Sequence, residues 1–508
     1  MHIKAVVKAN TYADSMSLMA LSTKVNQLEI VDQAMIGMGT NLNKQVIAEV
    51  GLSTPEVEAA TPRDQIIVVQ CATEELCDEA LVTVEELRAL GVAAPTETTY
   101  RTSRQAYENE ESASLAIISV PGEYAADEAR TALAAGRNVL IFSDNVTVDD
   151  ELDLKRRAHE LGLLVMGPDC GTAIINGTGL CFANVVNRGP VGVVGASGTG
   201  SQELSVRIDA LGSGVSQLIG VGGRDLSEAI GGIMMLDGMR MLDADPGTEV
   251  IVLLSKPPAP AVAARVLAAA AELATPVVVC FIGAAEPEEL PSNVTFVATT
   301  RDAARAAVSV ATGGGELPPV GHLEVDVEGI RAARLPEQTD LRGLFCGGTV
   351  CDEVFQAVKR RYPDTTRSNV AKDQRFAITP ESRSGHLLID LGADEYTQGR
   401  PHPMIDPTIR NAAILEQAAD PATAVLVLDV ELGYGSHPDP VGALLPALEQ
   451  AQAAARAADR PLEIVAYVLG TDRDPQNKAA QVAALTARGV HVVDDVIDLA
   501  DVALEMIS

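Results

Sequence analysis

Short, wholly apolar runs alternate along this chain with longer stretches in which apolar residues recur at helical period. The order is sharpest after residue 113. "SLAIISV", "NVLIFS" and "LLVMGPD" read as strands, and "YAADEARTALAAG" and "VDDELDLKRRAHELG" between them read as helices. Strands that take turns with helices predict parallel sheets wound on both faces, joined by right-handed crossovers. An earlier region has the same ingredients. "IKAVVKAN" and "QIIVVQCA" are strands, "ADSMSLMALSTKVNQL" and "EELCDEALVTVEELRALG" are helices, and the polar "TETTYRTSRQAYENEES" ends the region. The pattern divides the chain into an N-terminal α/β domain (1–110), a Rossmann-type unit (111–188), a third unit (189–315), a linker (316–339) and a fourth unit (340–508).

The fourth unit repeats the order of the third. "GLFCGGTVCDE" stands where "VGVVGASGTGSQE" stood, and "HLLIDLGADEYTQGRPHP" answers "SQLIGVGGRDLSE". "AVLVLDVELGYGSHPDP" answers "EVIVLLSKPPAP", and "IVAYVLGTDRDPQ" answers "VVVCFIGAAEPEE". Four matches in one order predict an internal duplication, and with it two glycine-rich turns of one kind.

Composition narrows the class. Aromatic residues are 3% and Trp is absent, so the cores must be built from Ala, Val, Leu and Ile. A net charge of −32 argues against binding nucleic acid or anionic lipid, and any anion site must rely on backbone N–H groups and a few arginines. No apolar run reaches membrane-spanning length, and the N-terminus does not read as a signal peptide. The seven cysteines are an odd number without zinc spacing. Reduced thiols, a cytoplasmic location and no metal are expected.

The candidate chemistry sits where strands hand over to helices. In "GASGTGS", glycines at 195, 198 and 200 let the chain turn with its N–H groups converging, Ser197, Thr199 and Ser201 add hydroxyls, and a helix begins. This is either a phosphate or carboxylate cradle built from Ser197, Gly198, Thr199 and Gly200, or a tight turn with a Ser/Thr cap. The duplication assigns a second cradle to Gly347, Gly348 and Thr349. In "GVGGRDLSE", Arg224 can fork onto an anion and Asp225 can orient it, or the pair is a capped helix start with a surface arginine. "DLGADEYTQGRPHPMIDPTIRN" gathers Asp394, Glu395, Arg400, His402, Asp406 and Arg410, with His402 between two prolines, and "DVELGYGSHPDP" carries Asp429 and His437. Lys44 can reach an anion at the turn "IGMGTNLNK". Cys170 of "GPDCGT" has no base close in sequence and reads as a small buried filler.

"GPDCGT", "GASGTGSQE" and "GVGGRDLSE", in that order, resemble the α-subunit of succinyl-CoA synthetase and its NDP-forming acyl-CoA synthetase relatives. With "GEYAADEA", "FSDNVT", "SKPPA" and "GRPHPMIDPT", nearly the whole chain resembles the FdrA family within that superfamily. The resemblance implies a CoA-binding-like Rossmann domain at 111–188 and two flavodoxin-like ligase domains at 189–315 and 340–508. It places Ser197, Gly198 and Thr199 where the synthetases meet their phosphohistidine, with Glu203 matching a nearby acidic residue. One departure stands out: the loop "GAAEPEELPSN", where that histidine belongs, has none, and no ATP-grasp domain is visible.

FdrA membership implies a subunit of an oxamate carbamoyltransferase of purine and allantoin breakdown, converting oxalurate and phosphate to oxamate and carbamoyl phosphate. In that reading the cradles hold phosphate or carbamoyl phosphate. Arg224 or Arg400, with Asp225 and Glu203, binds a small carboxamide acid, and His402 or His437 manages the leaving proton. The partners would be the other carbamoyltransferase subunits, with self-association also open. ATP-dependent CoA ligation by this chain alone is not expected, and no cofactor is certain. Two alternatives remain: an acyl-CoA synthetase subunit that binds CoA, and a non-catalytic scaffold.

Overall fold

The computed structural model describes residues 2–13, 15–26, 28, 30–91, 99–379, 384–398 and 400–508. They form two units, one of Met1–Glu110 with Asp394–Asp406 and one of Glu111–Ala393 with Pro407–Ser508.

The first unit is built on an antiparallel sheet of three strands, in the order His2–Lys8, Gln65–Cys71, Gln33–Met38. The middle strand is buried on both faces. Its side chains alternate as a pleat requires, Ile67 and Val69 packing with Leu18 and Val25, and Ile66 and Val68 with Ile47 and Leu52. The outer strand His2–Lys8, the middle strand and both long helices fall where the apolar pattern puts them, and Gln33–Met38 is a further strand. Lys44 does not wait for an anion. Its ammonium donates to the carbonyls of Glu58 and Ala60.

The second unit contains three sheets. The first is parallel, with strands Leu115–Ile118, Asn138–Ile141 and Val165–Met166. The next has seven strands, in the spatial order Val294–Val297, Val277–Phe281, Val250–Ser255, Arg188–Gly195, Val215–Gly220, Thr172–Ile175 and Thr178–Cys181. The last two are antiparallel additions at the edge. They come from the stretch before residue 188 and pair with the sheet of the third unit.

The third sheet has six parallel strands, ordered Thr366–Ser368, His386–Asp390, Asp340–Phe345, Thr423–Glu431, Glu463–Leu469 and His491–Val493. Numbered in chain order within each copy, the five matching strands of both large sheets run 2-1-3-4-5. This flavodoxin-like order carries the duplication from sequence pattern into topology. In each copy the central first strand, Arg188–Gly195 or Asp340–Phe345, runs straight into the helix behind a glycine-rich turn, Gly198–Ala210 or Gly348–Arg361.

Both cores are aliphatic. Val193, Leu254 and Ala307 lie at the centre of one, and Leu341, Val427 and Val502 in the other, where Phe345 and Tyr467 are among the few rings. Parallel strands covered on both faces read as continuous apolar runs, which is why they were legible.

Candidate functional site at two facing turns

The two glycine-rich turns meet. Ser197 Oγ and Thr349 Oγ1 are hydrogen-bonded to each other, and the N–H of Thr349 donates to Thr199 Oγ1 at 3.4 Å. Two helix N-termini therefore present their positive ends to one place. Ser197 caps the first helix, accepting from the N–H of Gly200 at 3.2 Å. The N–H groups of Gly198 and Thr199 have no protein acceptor among the described residues. Ser197, Gly198 and Thr199 are half-buried, whereas Gly200 is buried and its N–H is spent on the cap.

The second turn is already occupied. The N–H groups of Cys346 and Gly347 donate to the two carboxylate oxygens of Asp429, at 2.9 and 2.8 Å. The strand register explains the contrast. Asp429 lies at the position that Leu254 holds in the other copy, where the N–H of Ala196 simply donates to the Leu254 carbonyl. Gly347 therefore offers no N–H to an outside group, whereas the first turn keeps the N–H groups of Gly198 and Thr199 open, with Gly348 and Thr349 facing it.

Charged side chains ring the meeting point. A Cβ on Gly348 would lie 2.5 Å from Asp390 Oδ2 and 3.4 Å from Lys256 Nζ, so a side chain there would have to displace Asp390. One on Gly347 would lie 2.8 Å from Glu431 Oε1 and 3.2 Å from Thr199 Cβ. Lys256 and Glu431 occupy matching positions at the end of the same strand in the two copies. The sequence reading passed over Lys256, although "SKPPAP" ends a strand in the position of "DVELGY". Nearby, burial raises the Asp352 carboxyl against the opposing pull of Lys256.

Several expected site residues serve the scaffold. Arg224 donates to Glu151 at 2.9 Å and to the Val146 carbonyl at 2.8 Å, so its fork is taken up. Asp225 is fully buried. It accepts from Lys155 at 2.8 Å and from the N–H groups of Met234 and Met235, and so caps the next helix. Glu203 is buried where the two copies pack, accepts from the Tyr467 hydroxyl and faces Arg207 at 3.5 Å, and burial raises its carboxyl. His437 is buried; its Nδ1 accepts the N–H of Asp439 and its carbonyl accepts from Gln476. Arg400 and His402 belong to Asp394–Asp406, which groups with the first unit, and His402 Nδ1 accepts the N–H of Met404. Cys170 is buried, as expected of a filler, and burial raises its thiol.

Both turns lie on duplicated flavodoxin-like sheets whose sequences match CoA family models. The family "CoA binding domain" matches residues 186–283 and the family "CoA-ligase" matches residues 344–504, so each turn lies in or beside a matched stretch. The CoA-binding match begins where the Rossmann-type unit was expected to end. The family "AllF, heavy metal-associated domain" matches residues 1–103. The chain belongs to the same family as YahF of Escherichia coli K12, with 49% identity over 493 residues that cover 96% of each chain.

It is also 30% identical over 151 residues to the ADP-forming succinate–CoA ligase subunit alpha 2 of Archaeoglobus fulgidus; the match covers 29% of this chain and 51% of the ligase subunit. The chain thus spans about half the length of the curated ligase subunit. The solved dinucleotide-forming acetyl-coenzyme A synthetase 1 of Ca. Korarchaeum cryptofilum aligns over 77% of this chain and 82% of its own at 16% identity, with a TM-score of 0.31.

These matches correct the expected activity. The partial matches with assigned activities are CoA ligases and two of the matched family models are CoA domains, so the carbamoyltransferase reading falls. Among the described residues no helix is long and apolar enough to cross a membrane.

Proposed function

We propose that the chain is a subunit of an NDP-forming acyl-CoA synthetase and handles the exchange between an acyl thioester and phosphate. The reading is carried by the pairing of a CoA-binding match and a CoA-ligase match in one chain, whose helix N-termini face each other at Ser197 and Thr349. Within the superfamily, the motifs "GEYAADEA", "FSDNVT" and "GRPHPMIDPT" support kinship with FdrA-type proteins.

In this role the unpartnered N–H groups of Gly198 and Thr199 and the ammonium of Lys256 hold phosphate. A phosphate oxygen bonds to the acyl carbon and the thioester C–S bond breaks. CoA leaves as a thiolate that takes the phosphate proton, and an acyl phosphate remains. N–H groups fixed at helix ends stabilise the charge that develops without having to reorganise. Nucleotide phosphorylation is assigned to a partner chain, since the loop at 283–293 has no histidine to carry phosphate.

The test uses the full chain alone. CoA at a hundred times its Kd should add about 2.7 kcal/mol of stability. Arsenate in place of phosphate should release CoA thiol from an acyl-CoA, because acyl arsenates hydrolyse, and Thr199→Trp should abolish the release. No melting shift with CoA and no arsenate-dependent thiol from a panel of acyl-CoAs would overturn the reading.

A further inference from the structure

Behind the second turn lies a cluster that the phosphate chemistry does not use. Cys346, Asp429 and Glu431 are all buried, and one ligand atom from each lies within 4.8 Å of the others. Glu431 Oε1 is buried without a hydrogen-bond partner among the described residues, on a residue that is only 3% exposed. An orphaned carboxylate oxygen at that depth is costly unless something positive faces it. It points at Gly347 and the meeting of the two turns.

We infer that Cys346, Asp429 and Glu431 hold a divalent transition-metal ion, of which zinc is the representative. The donor set is one sulfur and two carboxylate oxygens. A thiolate favours zinc, cobalt or iron over magnesium or calcium. Arg410 fits as the outer partner: its guanidinium donates to Cys346 Sγ at 2.9 Å and to the Asp429 carbonyl, and lies 3.3 Å from an Asp429 carboxylate oxygen. Asp429 is oriented by the N–H groups of Cys346 and Gly347 that it accepts. Ligands fixed by such second contacts are the usual architecture of metal sites.

Charge agrees as well. Three deprotonated ligands are matched by one divalent ion together with Arg410. The first copy offers nothing equivalent, because Ala196, Leu254 and Lys256 stand at the three positions, so the site is peculiar to the second copy.

The test is metal content and spectroscopy of the full chain, which does not depend on the acyl-CoA reading. Purified protein incubated with zinc and desalted should retain stoichiometric metal. The cobalt-loaded protein should show a near-ultraviolet thiolate-to-cobalt charge-transfer band. Cys346→Ala should lose the band, and the near-isosteric Glu431→Gln should weaken retention while leaving the circular dichroism unchanged. Cys71→Ala and Cys77→Ala should keep both properties. Absence of retained metal, a band that survives Cys346→Ala, or a cluster that simply shares a proton between Asp429 and Glu431 would overturn the inference.

Discussion

Ser197 and Thr349 are hydrogen-bonded through their hydroxyls although 152 residues separate them in sequence. The contact locks together the N-terminal ends of two helices that descend from one duplicated unit. It also makes the cap of the first helix part of the bridge, because Ser197 Oγ accepts from Gly200 as well.

Ser197→Ala removes both roles. Loss of a helix cap costs about 1 kcal/mol. The expected outcome is an unfolding free energy lower by that amount in urea titrations, with a larger effect on phosphate affinity than on CoA affinity. Thr349→Val, which keeps shape and deletes the hydroxyl, should reproduce the affinity change while leaving the cap in place. Isothermal titration with phosphate and with CoA checks both variants.

Lys256 and Arg224 should behave oppositely. Lys256 Nζ stands beside the turn at Gly348, whereas Arg224 is bound to Glu151 and a carbonyl. Lys256→Ala should weaken phosphate binding by about tenfold, equivalent to about 1.4 kcal/mol. Arg224→Ala should leave it unchanged and lower only the melting temperature. Equal losses of affinity in the two variants would contradict the assignment.

Arg410 balances the buried acids of the second turn. Removing one partner of a buried ionic cluster costs about 3–5 kcal/mol. Arg410→Met should therefore destabilise strongly, and Glu431→Gln in the same chain should restore part of the loss by deleting one acid. A double-mutant cycle by chemical denaturation measures the coupling.

The carboxyl of Glu353 is fully buried, and burial pushes it up to about 8, against the N–H and hydroxyl of Thr300 that donate to it. In the unfolded chain it titrates near about 4.3. Between these values the native state holds a proton that the unfolded state has released. This group's contribution is thus greatest at low pH and declines as pH rises through the interval, by up to about 1.4 kcal/mol per pH unit. Glu353→Gln should flatten that slope in urea midpoints measured at both ends of the interval.

The large sheets were legible because parallel strands such as Val250–Ser255 are apolar throughout, and their order could be matched across the two copies. The antiparallel pairing of His2–Lys8 with Gln65–Cys71 was not, since two strands far apart in sequence carry no mark of their relative direction. The site was half legible. Glycines and hydroxyls announce a turn, and Ser197 and Thr199 stand where that reading put them. Occupancy of a turn is decided by register, however, and nothing near "GLFCGG" discloses that Asp429, 83 residues from Cys346, has its carboxylate on those N–H groups. Which of the two readings of Arg224 holds was hidden for the same reason, because its partner Glu151 lies 73 residues away.

Both turns also lie on one polypeptide. Their encounter is intramolecular, so its strength is set by the connecting chain rather than by protein concentration. Dilution will not part the two helix ends, and a cell cannot make one half of the cradle in excess of the other.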